Sequence, residues 1–312
     1  MAINGYTYST QIITKDGVKA FENFEDGQKV VVLDKNGEWR DATIRRAEGK
    51  EKIYDYTFRS LSTARVIHST GGLKWITPDG TRRTLIEKDN IINFTEMQGE
   101  HAYDAKFWCF GFVLGSGSDA TQFNKAGNKI MGAQSKVHLT KSKMQYRDVF
   151  IEQGWMDDCE PEEDYMRLRK NGLRSCRSVF LEQKLWDMMS YDALCNIFDG
   201  FITAVGKTVS NGAVIISTND RKLKEFIEFT SSIAGYHVWV QRDATSLTRS
   251  DLVNRTYDFY LVKKQPLEWT LDTIRVSKHG VGSKQRIWTV DEPVTKSFTA
   301  YGGIVLPACT ID

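Results

Sequence analysis

Residues 288–309 read WTVDEPVTKSFTAYGGIVLPAC, and this stretch decides how the rest of the chain is read. It is β in character. Short apolar runs at 286–290, 297–300 and 303–306 are broken by Asp291-Glu292-Pro293 and by Gly302-Gly303. Proline ends a strand because it has no N–H to donate, and glycine because it reaches backbone angles closed to other residues. Residues 274–276 belong to the same β series, which starts near Pro266.

The first hundred residues have the same texture. Residues 11–14 run into Lys15-Asp16-Gly17, 29–33 into Asp34-Lys35-Asn36-Gly37, and 74–77 into Pro78-Asp79-Gly80, with further runs at 54–58 and 66–67. Short strands punctuated by turn residues at this spacing predict an all-β unit.

Between these ends the pattern changes. Residues 101–117 are apolar nearly all round (Phe107, Trp108, Phe110, Phe112, Val113, Leu114) and stop at Gly115-Ser116-Gly117, which predicts a buried helix. Residues 191–201 predict a second one. Pro161, an acidic first turn and Gly172 predict a helix over 160–172. A strand at 213–217, a helix over 220–234 capped by Asp220, and a hairpin of 237–242 with 257–263 complete the segment. The expected fold is therefore mixed. An all-β domain split in sequence (1–104 and 266–312) carries an inserted α+β domain (105–265) of two repeated units, each a buried helix followed by strands and a more polar helix.

Composition bounds the function. The 312 residues are 41% hydrophobic, 26% charged and 12% aromatic, with net charge +2, as in a soluble globular protein. No run approaches the roughly 18 apolar residues of a membrane span, and residues 1–5 do not resemble a secretory signal, so no membrane partner and a cytoplasmic setting are expected. Five cysteines (Cys109, Cys159, Cys176, Cys195, Cys309) form no C-x-x-C pair and have no His at ligand spacing, which argues against a zinc site or a disulfide framework. His68 is expected on a half-exposed strand, His101, His138, His237 and His279 show no metal spacing, and Trp75 and Trp288 are expected in the β core.

The two ends together resemble those of inteins, the Hint-type protein-splicing domains. Residues 5–17, GYTYSTQIITKDG, resemble an intein opening, in which a nucleophile precedes a GDT-x-I strand. Residues 69–80, STGGLKWITPDG, are similar to the T-x-x-H segment, and 288–309 to the ending VDEP-T-H-x-F…G-G-I-V-x-H-N-C. The resemblance implies a horseshoe-like all-β fold and autocatalytic splicing without a cofactor, with the flanking host-protein segments as partners, about 1–4 and 309–312 here. A first-position nucleophile shifts the upstream acyl group, the His of T-x-x-H protonates the departing amide, and a downstream nucleophile accepts the acyl group. The terminal Asn then cyclises, helped by the preceding His.

This chain departs from that scheme at most positions. Gly5 stands at the first nucleophile, Leu73 at the His after Thr70, Lys296 near the late His, and Pro307-Ala308 at the terminal His-Asn; Cys309 alone is kept. Gly5 and Ala308 alone would resemble substitutions that trap an unspliced precursor, whereas Leu73, Lys296 and Pro307 extend the loss to natural decay or wider engineering. Splicing is not expected.

The insert resembles a LAGLIDADG homing endonuclease, a fold of duplicated αββαββα units. Residues 107–117, FWCFGFVLGSG, are similar to its first motif helix and 191–206, YDALCNIFDGFITAVG, to its second. The resemblance implies helices packed through small residues, with an acid at each C-terminal end holding Mg²⁺ over DNA phosphates. Ser116 and Val205 stand at the acid positions, so cleavage is not expected. Duplex DNA remains an expected partner through Lys125, Lys129, Lys136, Lys141, Lys143 and Arg147 of the first copy and Lys207, Arg242, Arg249, Arg255, Lys263 and Lys264 of the second. Two further readings are a DNA-binding module of this descent without self-processing, and a metal-dependent nuclease using Asp119 and Asp199. A monomer is expected.

Overall fold

The computed structural model describes residues 3–60, 63–94, 98, 100–119, 122–123, 129–130, 134–157, 165–174, 176–210, 212–242, 257–263, 269–278 and 285–309. The chain forms two compact units, Met1–Gly99 with Gly235–His237 and Lys263–Asp312, and Glu100–Ala234 with Val238–Val262.

The first unit is built of curled antiparallel sheets. Its seven-stranded sheet runs in the order Gln285–Asp291, Trp39–Gly49, Lys29–Leu33, Gln11–Thr14, Ser297–Ala300, Ile304–Pro307, with Gly17–Ala20 also paired to Gln11–Thr14. A four-stranded sheet runs Thr63–Thr70, Ile53–Ser60, Trp269–Val276, Asn90–Ile91. Tyr6 bridges to both Trp288 and Ser69, tying the two sheets together. Both depend on strands from the two ends of the sequence, as in the pairing of Ile12 with Ala300.

Local chemistry explains the turns. The buried Asp34 carboxylate accepts from the N–H of Asn36 (2.8 Å) and of Glu38 (2.9 Å), folding the loop that Gly37 closes at φ +79°. Gly302 and Gly303, at φ +89° and +78°, turn Ser297–Ala300 back onto Ile304–Pro307. Tyr6, Phe21, Trp288 and Phe298 stack at the centre of the core, with Trp75 packed on Tyr56 and Phe58 nearby.

The second unit repeats one topology. A first central helix, Ala105–Ser116, precedes a sheet ordered Gly117–Asp119, Gln134–Thr140, Tyr165–Arg174, Met156–Asp157. A second central helix, Tyr191–Val205, precedes a sheet ordered Lys207–Thr208, Val214–Thr218, Tyr257–Lys263, Tyr236–Arg242. In both, the fourth strand in sequence lies between the second and third, and a helix (Arg147–Glu152 or Arg221–Ile233) separates the second strand from the third. Both central helices are capped by side chains not singled out from the sequence, Asp104 on Lys106 N (2.8 Å) and Ser190 on Ala193 N (3.3 Å). Asp220 caps Arg221–Ile233 in the same way.

One expected helix is a strand. Tyr165–Arg174 replaces the helix predicted over 160–172, and residues 158–164, with Pro161, lie outside the described residues. The reason lies in Tyr165-Met166-Arg167-Leu168-Arg169, which alternates with period two. Met166 and Leu168 are buried (1% and 0% exposed) while Arg167 and Arg169 share the other face. Among the described residues no helix is long and apolar enough to cross a membrane.

Candidate functional site

The first unit brings residues from both ends of the sequence into one cleft of about 400 Å³, whose lining includes Asn4, Gly72, Arg82, Lys296, Ala308 and Cys309. Tyr6 exchanges backbone hydrogen bonds with Trp288 (2.7 and 2.8 Å), and its hydroxyl donates to Pro307 O at 3.0 Å. Thr70 Oγ1 accepts from Gly5 N at 3.1 Å, and Thr70 N donates to Gly5 O at 3.0 Å. On the other side, Ala308 N donates to Lys296 O (2.9 Å), and Cys309 N to Val290 O and Thr289 Oγ1 (3.2 Å each). Arg82 donates to the carbonyls of Thr295 and Lys296, and Lys296 itself takes the left-handed φ of +53°.

The turn that presents this second side is organised by a buried carboxylate. Glu292, 2% exposed, accepts from Val294 N (2.7 Å), Thr295 N (2.9 Å), Thr295 Oγ1 (2.8 Å) and Ser297 N (3.2 Å). Burial alone would raise its pKa, but these hydrogen bonds outweigh it and hold the group below its ordinary range.

The chemistry available in the cleft is limited. A Cβ on Gly5 would lie 2.4 Å from Trp288 O, so the backbone has closed around a residue without a side chain. Leu73 is fully buried in the apolar core, and Pro307 and Ala308 carry no titratable group. Cys309 is half-buried; burial pushes its thiol up, against the Thr289 hydrogen bond and Arg82, which keeps it in the poorly nucleophilic thiol form. Cys109 and Cys195 are buried, and the side chains of Cys159 and Cys176 lie outside the described residues. His68, half-exposed on its strand, pairs with Asp55 at 2.7 Å.

In the second unit the central helices are in backbone contact. A Cβ on Gly111 would sit 1.8 Å from Ile197 O, and one on Gly200 1.9 Å from Trp108 O. Nearer the C-terminal ends, Gly115 faces Ala204 and Val205, so the helices run side by side in the same direction and finish together. Ser116 Oγ turns back to Phe112 O at 3.5 Å, and Val205 presents only alkyl carbon. Asp199 does not belong to this end: it pairs with His101 at 3.2 Å, and His101 precedes the start of the first helix. Asp119 follows that helix's C-terminus, whereas Asp199 precedes Gly200, which meets Trp108 and Phe112 in the middle of the helix pair, so the two acids stand at different levels. The side chain of Asp119 lies outside the described residues, among which no three His, Cys, Asp or Glu converge.

The expected DNA-contacting residues separate into groups. Lys136 stands on the sheet face away from Val137 and Leu139, both 0% exposed. Directly across from it is Arg169, and across from His138 is Arg167. This cross-strand row of four basic side chains includes two arginines that the sequence reading missed, because a helix over 160–172 gave them no common face with Lys136. Lys207 is exposed on its strand. Lys141, Lys143 and Arg147 are not on hairpin strands but on the helical turn Lys141–Tyr146 and the helix Arg147–Glu152. Lys143 donates to Ala204 O, and Arg147 pairs with Asp157 (3.2 Å) and Asp148 (3.6 Å). Lys129, Arg242 and Lys263 lie on strands, with side chains outside the described residues, as are Lys125, Arg249, Arg255 and Lys264 entirely.

No family model matches the chain, and no curated protein matches it. Solved structures similar to parts of it include the homing endonuclease I-DmoI in complex with DNA and Mn, 13% identical over 51% of this chain and 89% of that one, at TM-score 0.34. The complex of I-DmoI with DNA and Ca is 14% identical over 51% and 82%, at TM-score 0.35. The gp41-1 intein is 18% identical over 30% of this chain and 70% of its own, at TM-score 0.24. At these scores the likeness assigns no function.

Proposed function

We propose that the first unit is an intein-type splicing domain without a complete set of splicing groups, and that the second is a LAGLIDADG-type domain that binds duplex DNA without cutting it. The observation that carries the first half is the cleft where Asn4 faces Ala308 and Cys309. Splicing needs its two scissile junctions within reach of one set of groups, and a shared cleft meets that geometric demand. The residues at and beside the cleft match loss of the chemistry: Gly5, next to Asn4, cannot attack, Leu73, buried in the core next to Gly72, cannot protonate, and Ala308 cannot cyclise.

For the second half, the paired helices and the repeated sheet topology fit the expected domain. The Lys136, His138, Arg167 and Arg169 row supports binding to a polyanion. Arg167→Gln with Arg169→Gln is expected to weaken duplex binding about tenfold or more and to reduce the salt slope by about two. Fluorescence anisotropy across a salt series reads both. An unchanged slope would remove this face from the interface.

Restoration tests the splicing half. Gly5→Cys, Leu73→His, Pro307→His and Ala308→Asn are introduced together between two test proteins, and the products are weighed. Ligated or singly cleaved products are expected. Because a side chain at position 5 meets Trp288 O, a second variant carries only Pro307→His and Ala308→Asn, leaving Gly5 untouched. It is expected to release the segment beginning at Cys309. Folded protein with neither outcome sinks the splicing assignment.

A further inference from the structure

We propose that the joined C-terminal ends of the two central helices hold a nucleic-acid backbone phosphate directly through Arg177, with the Lys143 ammonium held at the neighbouring Ala204 O as a second cation, where the resemblance implies a divalent metal. This rests on the DNA-binding reading above and specifies its chemistry.

The donor set does not fit a divalent ion. Mg²⁺ takes six oxygen ligands and is held in proteins by carboxylates. The two positions that should supply acids offer one neutral hydroxyl, committed to Phe112 O, and an isopropyl group. Cations stand there instead. Lys143 reaches in from the turn Lys141–Tyr146, donates to Ala204 O and lies 5.9 Å over the Phe112 ring. An ammonium has three N–H donors, so further donors remain for a ligand.

Arg177 approaches from the helix Cys176–Glu182. It lines an open cleft of about 330 Å³ together with Gly115, Val205, Ser217, Thr218 and Asn219. Its guanidinium makes no hydrogen bond or ion pair among the described residues. Thr218 is buried, and its oxygen already accepts from Asp220 N at 3.0 Å, which leaves its O–H to donate outward. Two carboxylates act on lining residues from outside the cleft: Asp258 accepts from Ser217 Oγ at 2.5 Å and so orients that hydroxyl, and Asp220 accepts from Leu223 N at 3.3 Å. A planar fork of donors beside a hydroxyl and an amide, with no carboxylate among the described residues that line the cleft, matches the acceptor-only oxygens of a phosphate. Gly115 also belongs to the helix that runs directly into the strand Gly117–Asp119, whose sheet carries the basic row. The same unit therefore carries a second group of cations on the sheet that follows this helix, which suits a polyanionic strand better than a free anion.

The test uses the full chain and a fluorescein-labelled mixed-sequence duplex, titrated between about 50 and 200 mM salt, in EDTA and in Mg²⁺. Binding is expected to persist in EDTA and not to tighten in Mg²⁺. Arg177→Gln is expected to weaken it roughly fivefold to tenfold and lower the salt slope by about one, while Arg177→Lys recovers the slope. Lys143→Met is expected to lower the slope similarly, and an unchanged melting temperature separates that from misfolding. Binding that requires Mg²⁺ and is lost in Asp119→Asn would overturn the proposal. So would Arg177→Gln leaving affinity and slope unchanged while the Arg167 and Arg169 variant lowers both. Saturable binding of inorganic phosphate without duplex binding would assign the cleft to a free anion instead. Absence of any duplex binding would remove the proposal together with the reading beneath it.

Discussion

Replacing Gly111 or Gly200 with alanine is expected to destabilise the second unit by about 3–5 kcal/mol or more, enough to unfold it. Alanine is the better helix former by about 1 kcal/mol, so a loss of this size can come only from contact with the neighbouring helix. The added methyl would meet a main-chain carbonyl, Ile197 O at 1.8 Å or Trp108 O at 1.9 Å, and a helix backbone cannot yield locally as a flexible side chain does. The helices would have to separate along their length, opening the core formed by Trp108, Phe112 and Val113. Gly115→Ala is the graded control. There the nearest atoms are side-chain carbons, Ala204 Cβ at 2.7 Å and Val205 Cγ1 at 2.9 Å, so a smaller loss is expected. Denaturant unfolding followed by tryptophan fluorescence reads the order. Equal stability of all three variants would mean that the helices do not touch at these glycines.

Glu292→Ala is the second large effect, expected to cost the first unit about 3–5 kcal/mol. It strips the acceptor from three backbone N–H groups, of Val294, Thr295 and Ser297, and from the Thr295 hydroxyl, in a turn whose carboxylate and Ser297 are buried although Pro293, Val294 and Lys296 are exposed. Glu292→Gln keeps one acceptor oxygen and the volume, so roughly half that loss is expected. The pH dependence follows from the direction of the shift. The folded carboxyl lies below its ordinary value of 4.5, so its contribution is fully present above that value and is lost as pH falls through the folded pKa. Melting temperature should therefore fall on acidification below about 4.5 in the parent chain, and less steeply in Glu292→Gln. Identical acid limbs in the two proteins would show that this carboxylate is not ionised in the fold.

Much of the local structure was legible because its causes are local. The strands at Gln11–Thr14, Lys29–Leu33 and Ser297–Ala300 lie where short apolar runs meet turn residues, and Asp220 caps the helix it was expected to cap. Tyr165–Arg174 failed for an equally physical reason. Pro161 and its acidic neighbours are compatible with a helix start, but burial of Met166 and Leu168 on one sheet face outweighs that local signal. The error hid Arg167 and Arg169, since only the strand places them opposite His138 and Lys136. Lys143 and Arg147 misled in the other direction: charge identifies a basic residue, but not the carbonyl or carboxylate that engages it.

What the sequence determined by itself is the inventory of side chains and the short-range code, including a glycine where a nucleophile is expected, a serine and a valine where acids are expected, and glycines spaced along both apolar helices. Turns, caps and alternation act over a few residues, so they can be read directly from the order of side chains. Tertiary structure decided which distant groups meet: Asn4 with Cys309 in one cleft, Gly111 on the backbone of Ile197, and Arg177 beside Val205. Those meetings are set by sheet closure and helix packing, in which burying a shared core outweighs local preference and brings together residues that no sequence spacing relates.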